Sequence, residues 1–343
     1  MNHRFLVRMS GFTLIELMIA MLLGLVVIAG VTSVFLAGQQ SFRTNSALAD
    51  VQDSSRVAFE LMARDMRQAG LTGCNGANGT NLNFSITNVL THRGPAWWAN
   101  WGNSVRGYDD ATVDPALTTG MPAPAASTSS VQLIGAATQP ASTNTLYDGS
   151  NAQFVLDASA PTLQAGDIVM VCTPGRAALF QVGTYAAGTH TVTFAASGTP
   201  GNSTTDLGCV TPAVSPDIYC FPPNSLLSRI QAVDWYIGAN TAGGTSLYRV
   251  SVVNNAGVAT PTAQEMVRGV TAMTITYLDP AVTAISGGFV PASTIDANSG
   301  WLGVTAVNVA LTVDSTAPRV GATGSKPIER SYSFTTTLRN RVN

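Results

Sequence analysis

The sequence predicts an α+β fold. A long N-terminal helix, membrane-spanning in its first half and amphipathic in its second, packs on a mainly antiparallel β domain with long loops. Three observations predict it. Residues 12–37 form one apolar run whose only charge is Glu16. Helical periodicity then continues, without that unbroken apolar character, to about residue 70. Beyond residue 75 apolar side chains recur at every second position, the period of a strand with one buried face.

Residues 1–11 are polar and basic, with Arg4 and Arg8 and no acid, and end in Ser10-Gly11. At about 1.5 Å per residue, the apolar run that follows extends roughly 39 Å, more than the hydrocarbon core of about 30 Å. The basic flank predicts a cytoplasmic start, with everything after residue 38 outside. A secretory signal would be cut after its apolar stretch, with small residues at the last and third-last positions. That pattern is missing: Phe35 stands third-last for a cut after Ala37, and Leu36 for a cut after Gly38. The conspicuous small residue is Gly11, ahead of the run.

The run G-F-T-L-I-E-L, residues 11–17, resembles the processing motif of the type IV prepilin family. The resemblance implies that a membrane peptidase cuts between Gly11 and Phe12 and methylates the new amine of Phe12. Glu16 then becomes the fifth residue of the mature chain, where the family carries its glutamate. A carboxylate inside a membrane costs up to about 3 kcal/mol on insertion scales, so it needs a partner or a wet niche. The α-amine of Phe12 can serve, from the same chain or from a neighbour in a bundle of parallel helices. The alternative is that Glu16 sits at the headgroup boundary of an ordinary anchor.

In residues 41–70, Leu48, Val51, Ala58, Met62, Met66 and Ala69 recur on one face, while Asp50, Asp53, Arg56, Glu60, Arg64 and Arg67 lie largely elsewhere. Gly70, followed by Gly73, predicts the stop. Gly24, Gly30 and Gly38 are places where the helix could bend or break. Residues 59–74, FELMARDMRQAGLTGC, resemble the helix end of PilW-type minor pilins, with an R-D-x-R-x-A-G run followed by cysteine. GDIVMVC near residue 170, VTAMTITYLD near 275 and the terminal TTTLRNRV are similar to the same group.

The predicted organisation is a leader over 1–11, a helix over 12–70 and a globular domain over 71–343. Strands are predicted at 167–172, 178–183, 189–194, 230–237, 246–253, 267–278, 307–313 and 332–338. Residues 75–130 are poor in regular signals and predict a long loop or insertion, and a second Gly/Asn/Ser loop spans about 197–225. Within the first, Trp97, Trp98 and Trp101 stand close together. They either pin the insertion onto the sheet, the favoured reading, or form a contact patch for a partner.

Composition excludes several function classes. The chain has 17 Lys and Arg against 19 Asp and Glu, a net charge of -2, so no broad field attracts nucleic acid. Cys74, Cys172, Cys209 and Cys220 form no C-x-x-C pair and read as up to two disulfides in an oxidising compartment. Three connectivities remain open, although a short loop from Cys209 to Cys220 is reasonable. No H-E-x-x-H, G-x-S-x-G or Walker A run appears, and residues 321–326 have the wrong spacing for a P-loop. His3, His92 and His190 show no paired-ligand signal. Asp109, Asp110 and Asp114 lack the glycine and glutamate of an EF-hand loop, so a solvated turn is expected there. No cofactor or metal and no enzymatic activity are predicted.

The resemblance implies a minor pilin that helps to initiate or cap assembly of a type IV pilus serving adhesion, twitching motility or DNA uptake. It implies prepilin peptidase, other major and minor pilins and the inner membrane as partners. The globular domain would be periplasmic first and later on the pilus. Two alternatives stand beside it: a minor pseudopilin of a type II secretion system, and an anchored surface adhesin that binds through the tryptophans.

Overall fold

The computed structural model describes residues 13–72, 74, 85–91, 96–137, 139–149, 151–158, 163–198, 201–209, 221–282, 288–317 and 326–341. The α+β architecture expected from the sequence is the one observed. Helix α1, Leu14–Gln68, is continuous over 55 residues. It contains no proline, and Gly24, Gly30 and Gly38 remain helical within it. A glycine costs about 1 kcal/mol against alanine in a helix but removes no hydrogen-bond donor, so the ladder survives. The helix stops where Gly70 turns to φ +73°, the left-handed conformation of a helix C-cap, and its N–H donates to the Ile134 carbonyl at 2.8 Å.

The strands are β1 (Ser85–Asn88), β2 (Val105–Tyr108), β3 (Ser130–Ala136), β4 (Ala141–Ser142), β5 (Gln153–Val155), β6 (Ile168–Thr173), β7 (Arg176–Gln181) and β8 (Thr184–Ala186). They continue as β9 (Thr191–Thr193), β10 (Leu226–Ala239), β11 (Thr245–Asn255), β12 (Val258–Arg268), β13 (Val270–Leu278), β14 (Ala306–Asp314) and β15 (Glu329–Thr337). A short helix α2, Ala292–Ala297, precedes β14.

The chain divides into two compact units, residues 1–50 with 315–328, and 51–314 with 329–343. In the first, Leu14, Ile19, Leu23, Ile28 and Phe35 are exposed, and a small cluster joins Ala47 and Ile328 to Leu48 and Ala317. In the second, nine strands form one sheet along the path β1-β7-β6-β10-β11-β12, with β3 and β4 also pairing β10, and β2 pairing β3. The β1–β7 pair is parallel, whereas β10 pairs antiparallel with β3, β4, β6 and β11. The two smaller sheets are β13-β14-β15 and β5-β9-β8.

Residues 51–68 of α1 and the turn after them lay Ala58, Met62, Met66 and Ala69 against Leu133, Val233 and Trp235 of the large sheet and Ile275, Val309 and Leu311 of the second sheet. All ten of these side chains are at most 2% exposed, which makes this interface the main core. Phe154, Phe180, Phe194, Phe221 and Tyr147 form a separate aromatic core beside the third sheet.

Several local expectations differ from the structure. Residues 75–130 are not simply a loop, because β1 and β2 lie within them and join the large sheet. Both are four residues long, too short for a period-two signal, and their pairing energy comes from partners distant in sequence. The run 267–278 is two strands, broken at Gly269, where φ is +78°. The tryptophans follow the favoured reading: Trp97 and Trp101 are each 5% exposed and packed with Leu90, Ile134 and Leu179, and Trp98 is half-buried beside them. Asp114 is buried rather than in a solvated turn.

Candidate functional site

Helix α1 makes defined side-chain contacts at both ends. At its start, Thr13 and Glu16 hold each other. The Thr13 N–H and Oγ1 donate to Glu16 Oε2 at 3.4 and 3.3 Å, and the Glu16 N–H donates to Thr13 Oγ1 at 3.3 Å. This reciprocal pattern is a capping box, which satisfies backbone donors that the first helical turn leaves open. The T-x-x-E spacing ahead of an apolar run was visible in the sequence, and the reading of Glu16 as a pairing group alone missed it. The carboxylate therefore has a local job, and it lies at the positive end of the helix dipole. Gly11 and Phe12 lie outside the described residues. The helix is long and apolar enough to cross a membrane, and none of its most apolar stretch is buried within the chain. Such a surface is stable only against lipid or other helices.

At the other end, the R-D-x-R-x-A-G run attaches the helix to the sheet. Asp65, 7% exposed, accepts from Trp235 Nε1 at 3.0 Å and from Arg249 Nε and Nη2 at 2.7 and 3.4 Å. Ala69 is buried in the main core. Gly135 of β3 lets the backbones meet, since a Cβ there would stand 2.3 Å from the Gln68 carbonyl oxygen. The Ala136 N–H donates to the Leu71 carbonyl at 2.7 Å.

The C-terminus closes the same corner. Asn340 Nδ2 donates to the Arg67 and Ala69 carbonyls at 3.1 and 3.2 Å, satisfying acceptors that the helix end leaves open. Arg341 donates to Ser104 Oγ and the Trp301 carbonyl, and burial lowers its guanidinium to about 10. Cys74 and Cys172 form a disulfide across 98 residues, joining the segment after α1 to β6. Cys209 is also disulfide-bonded, and Cys220 lies outside the described residues.

Residues 7–32 match the family model of the prokaryotic N-terminal methylation motif, and residues 234–340 match that of type IV pilus-assembly protein W. The chain is thus similar to type IV pilin-like proteins at its start and through its C-terminal strands. The two matches cover the start of α1 and the strands from the middle of β10 to the C-terminal turn, including Trp235, Arg249 and Asn340, which receive the far end of α1. No curated protein matches the chain as a relative. The methylation motif implies prepilin processing and association with other pilins. The matches point to a structural protein, and the apolar start of α1 fits a membrane anchor.

The remaining sequence candidates have structural work. Asp109 accepts from the Ala292 and Ser293 N–H groups at 2.8 and 3.0 Å, and so caps α2. Asp110 caps the 3-10 turn at Ala111–Val113 through the Thr112 N–H at 2.9 Å. His190 occupies a turn at φ +53°, its carbonyl accepting from the Leu156 N–H, while His3 and His92 lie outside the described residues. Among the described residues, no three His, Cys, Asp or Glu side chains group as metal ligands.

Proposed function

We propose that this pilin is a minor subunit of a type IV pilus that helps to initiate or cap assembly. Processing cuts between Gly11 and Phe12 and methylates the Phe12 amine. The domain from residue 71 onward resides in the periplasm before assembly and at the cell surface afterwards. The observation that carries the reading is Glu16, held in the first helical turn of an unburied apolar helix, four residues beyond the new terminus. A charge at that depth lowers its desolvation cost by pairing with a cation, and in a bundle of parallel helices a neighbouring subunit's amine supplies one. The pairing sets the axial stagger of the subunits. A domain of some 270 residues with long loops is awkward to repeat along a thin fibre, which favours a minor position.

Mass spectrometry of the native N-terminus, with sheared pili compared between wild type and Glu16→Ala, tests the reading. We expect N-methylphenylalanine in both proteins and a loss of the variant from the pilus fraction. Pilus-borne protein that keeps its first eleven residues, or unchanged incorporation of Glu16→Ala, overturns it.

A further inference from the structure

The segment from Asp109 to Met121 lies on the face of the large sheet opposite α1. Ala111 packs there on Tyr236, Tyr248 and Val250, with Leu117 and Met121 beside them. Beneath it two carboxyls meet. Asp114 accepts from the Ala116 N–H at 2.8 Å, from Gln132 Nε2 at 2.6 Å and from Ser130 Oγ. Asp234 of β10 stands opposite Gln132 in the strand register and is 0% exposed. Neither of its oxygens has a donor. Its neighbour within hydrogen-bond reach is the Asp114 carboxyl itself.

Among the described residues neither acid has an ion pair. Tyr108 of β2, Tyr236 of β10 and Tyr277 of β13 face the pair, all neutral phenols held above their ordinary range, chiefly by burial. Arg106 of β2 is engaged by Asp296 at 3.2 Å, and Asp109 and Asp296 add only further negative charge near Tyr277. Two bare carboxylates in this position would repel in a medium that screens poorly. A hydrogen bond between two buried carboxyls requires a proton, because an ionised carboxylate only accepts.

We propose that Asp114 and Asp234 share one proton, and that this proton latches residues 109–121 to the sheet so that rising pH releases the segment. Both acids are pushed up from the ordinary carboxylate range, Asp234 the further, first by burial and then by the neighbouring acid. The sign follows. When the segment lifts, the carboxyls meet water and return towards about pH 4, so opening releases a proton at any pH between that value and the raised one. Opening therefore becomes easier as pH rises through that window, and it bares the aromatic face of Tyr236 and Tyr248. At low pH the latch is fully held.

Hydrogen exchange of the full chain in detergent micelles, corrected for the intrinsic pH dependence, tests this at the Ala116 and Leu117 amides, which bond within the segment. One released proton predicts protection falling about tenfold per pH unit from about pH 5 upward, until the pair ionises in the closed state. In Asp234→Asn the amide donates to Asp114 without titrating, so protection stays flat with pH. Asp114→Asn removes the shared proton and offers Asp234 an amide donor, so the slope falls well below that of the wild type although burial still holds Asp234 raised, and this decides the matter should Asp234→Asn fail to fold. Protection that is independent of pH in the wild type, or the full wild-type slope persisting in either variant, overturns the proposal.

Discussion

Replacing Asp65 with alanine tests the attachment of α1 most directly. Its carboxylate is 6% exposed and its partner Arg249 20%. Removing the acid strands the Trp235 indole N–H, fully buried, and a guanidinium that water reaches only in part. Breaking a fully buried ion pair costs about 3–5 kcal/mol, and the partial access of Arg249 to water argues for the lower end, about 3 kcal/mol. For a domain of this size that lowers the melting temperature by roughly 6 °C. Asp65→Asn keeps an acceptor for Trp235 and should lose about half as much. Asp65→Ala combined with Arg249→Leu removes the stranded charge and should recover about 1–2 kcal/mol of the single loss. Thermal melts of these four proteins and of the Arg249→Leu single variant, followed by tryptophan fluorescence in the same detergent, supply the numbers. A single variant that melts within about 1 °C of wild type, or a double variant whose losses simply add, refutes the assignment.

Three further outcomes follow from the same geometry. Thr13→Ala removes the capping box, at about 1 kcal/mol of helix stability, but leaves the Glu16 charge. It should enter pili nearly as well as wild type, and a loss equal to that of Glu16→Ala would show that Glu16 acts only as a cap. Gly135→Ala drives a methyl against the Gln68 carbonyl, a backbone atom that cannot rotate away, and should cost about 2 kcal/mol in thermal melts. The paired Cys74→Ser and Cys172→Ser replacement frees a loop of 98 residues, worth about 4–5 kcal/mol by chain entropy, so chemical denaturation should shift to markedly lower denaturant.

The reading of residues 41–74 shows how far sequence reasoning reached. It located the helix face through Ala58, Met62 and Met66, the stop at Gly70, and the R-D-x-R-x-A-G run as a resemblance without a physical job. The job belongs to Asp65, whose partners Trp235 and Arg249 lie 170 and 184 residues away. No local spacing announces such a pairing. β14 and β15 were legible because Val307, Val309, Leu311 and Val313 alternate with smaller or polar residues along a half-buried sheet. β3 was missed because its seven residues are buried on both faces, which erases the alternation.

The sequence by itself determined the features written in local chemistry: an apolar run long enough for a bilayer, the change from polar to apolar after Gly11, Glu16 in the first turn, and the change of period from 3.6 to 2. These depend on neighbours within a few residues, so composition and spacing express them completely. Only the tertiary structure decided that Trp97 and Trp101 are core, that Cys74 joins Cys172, that Asn340 caps α1, and that Asp114 meets Asp234. Each is a contact between residues far apart in the chain. Its free energy comes from burial and desolvation that exist only once the sheet has closed around it.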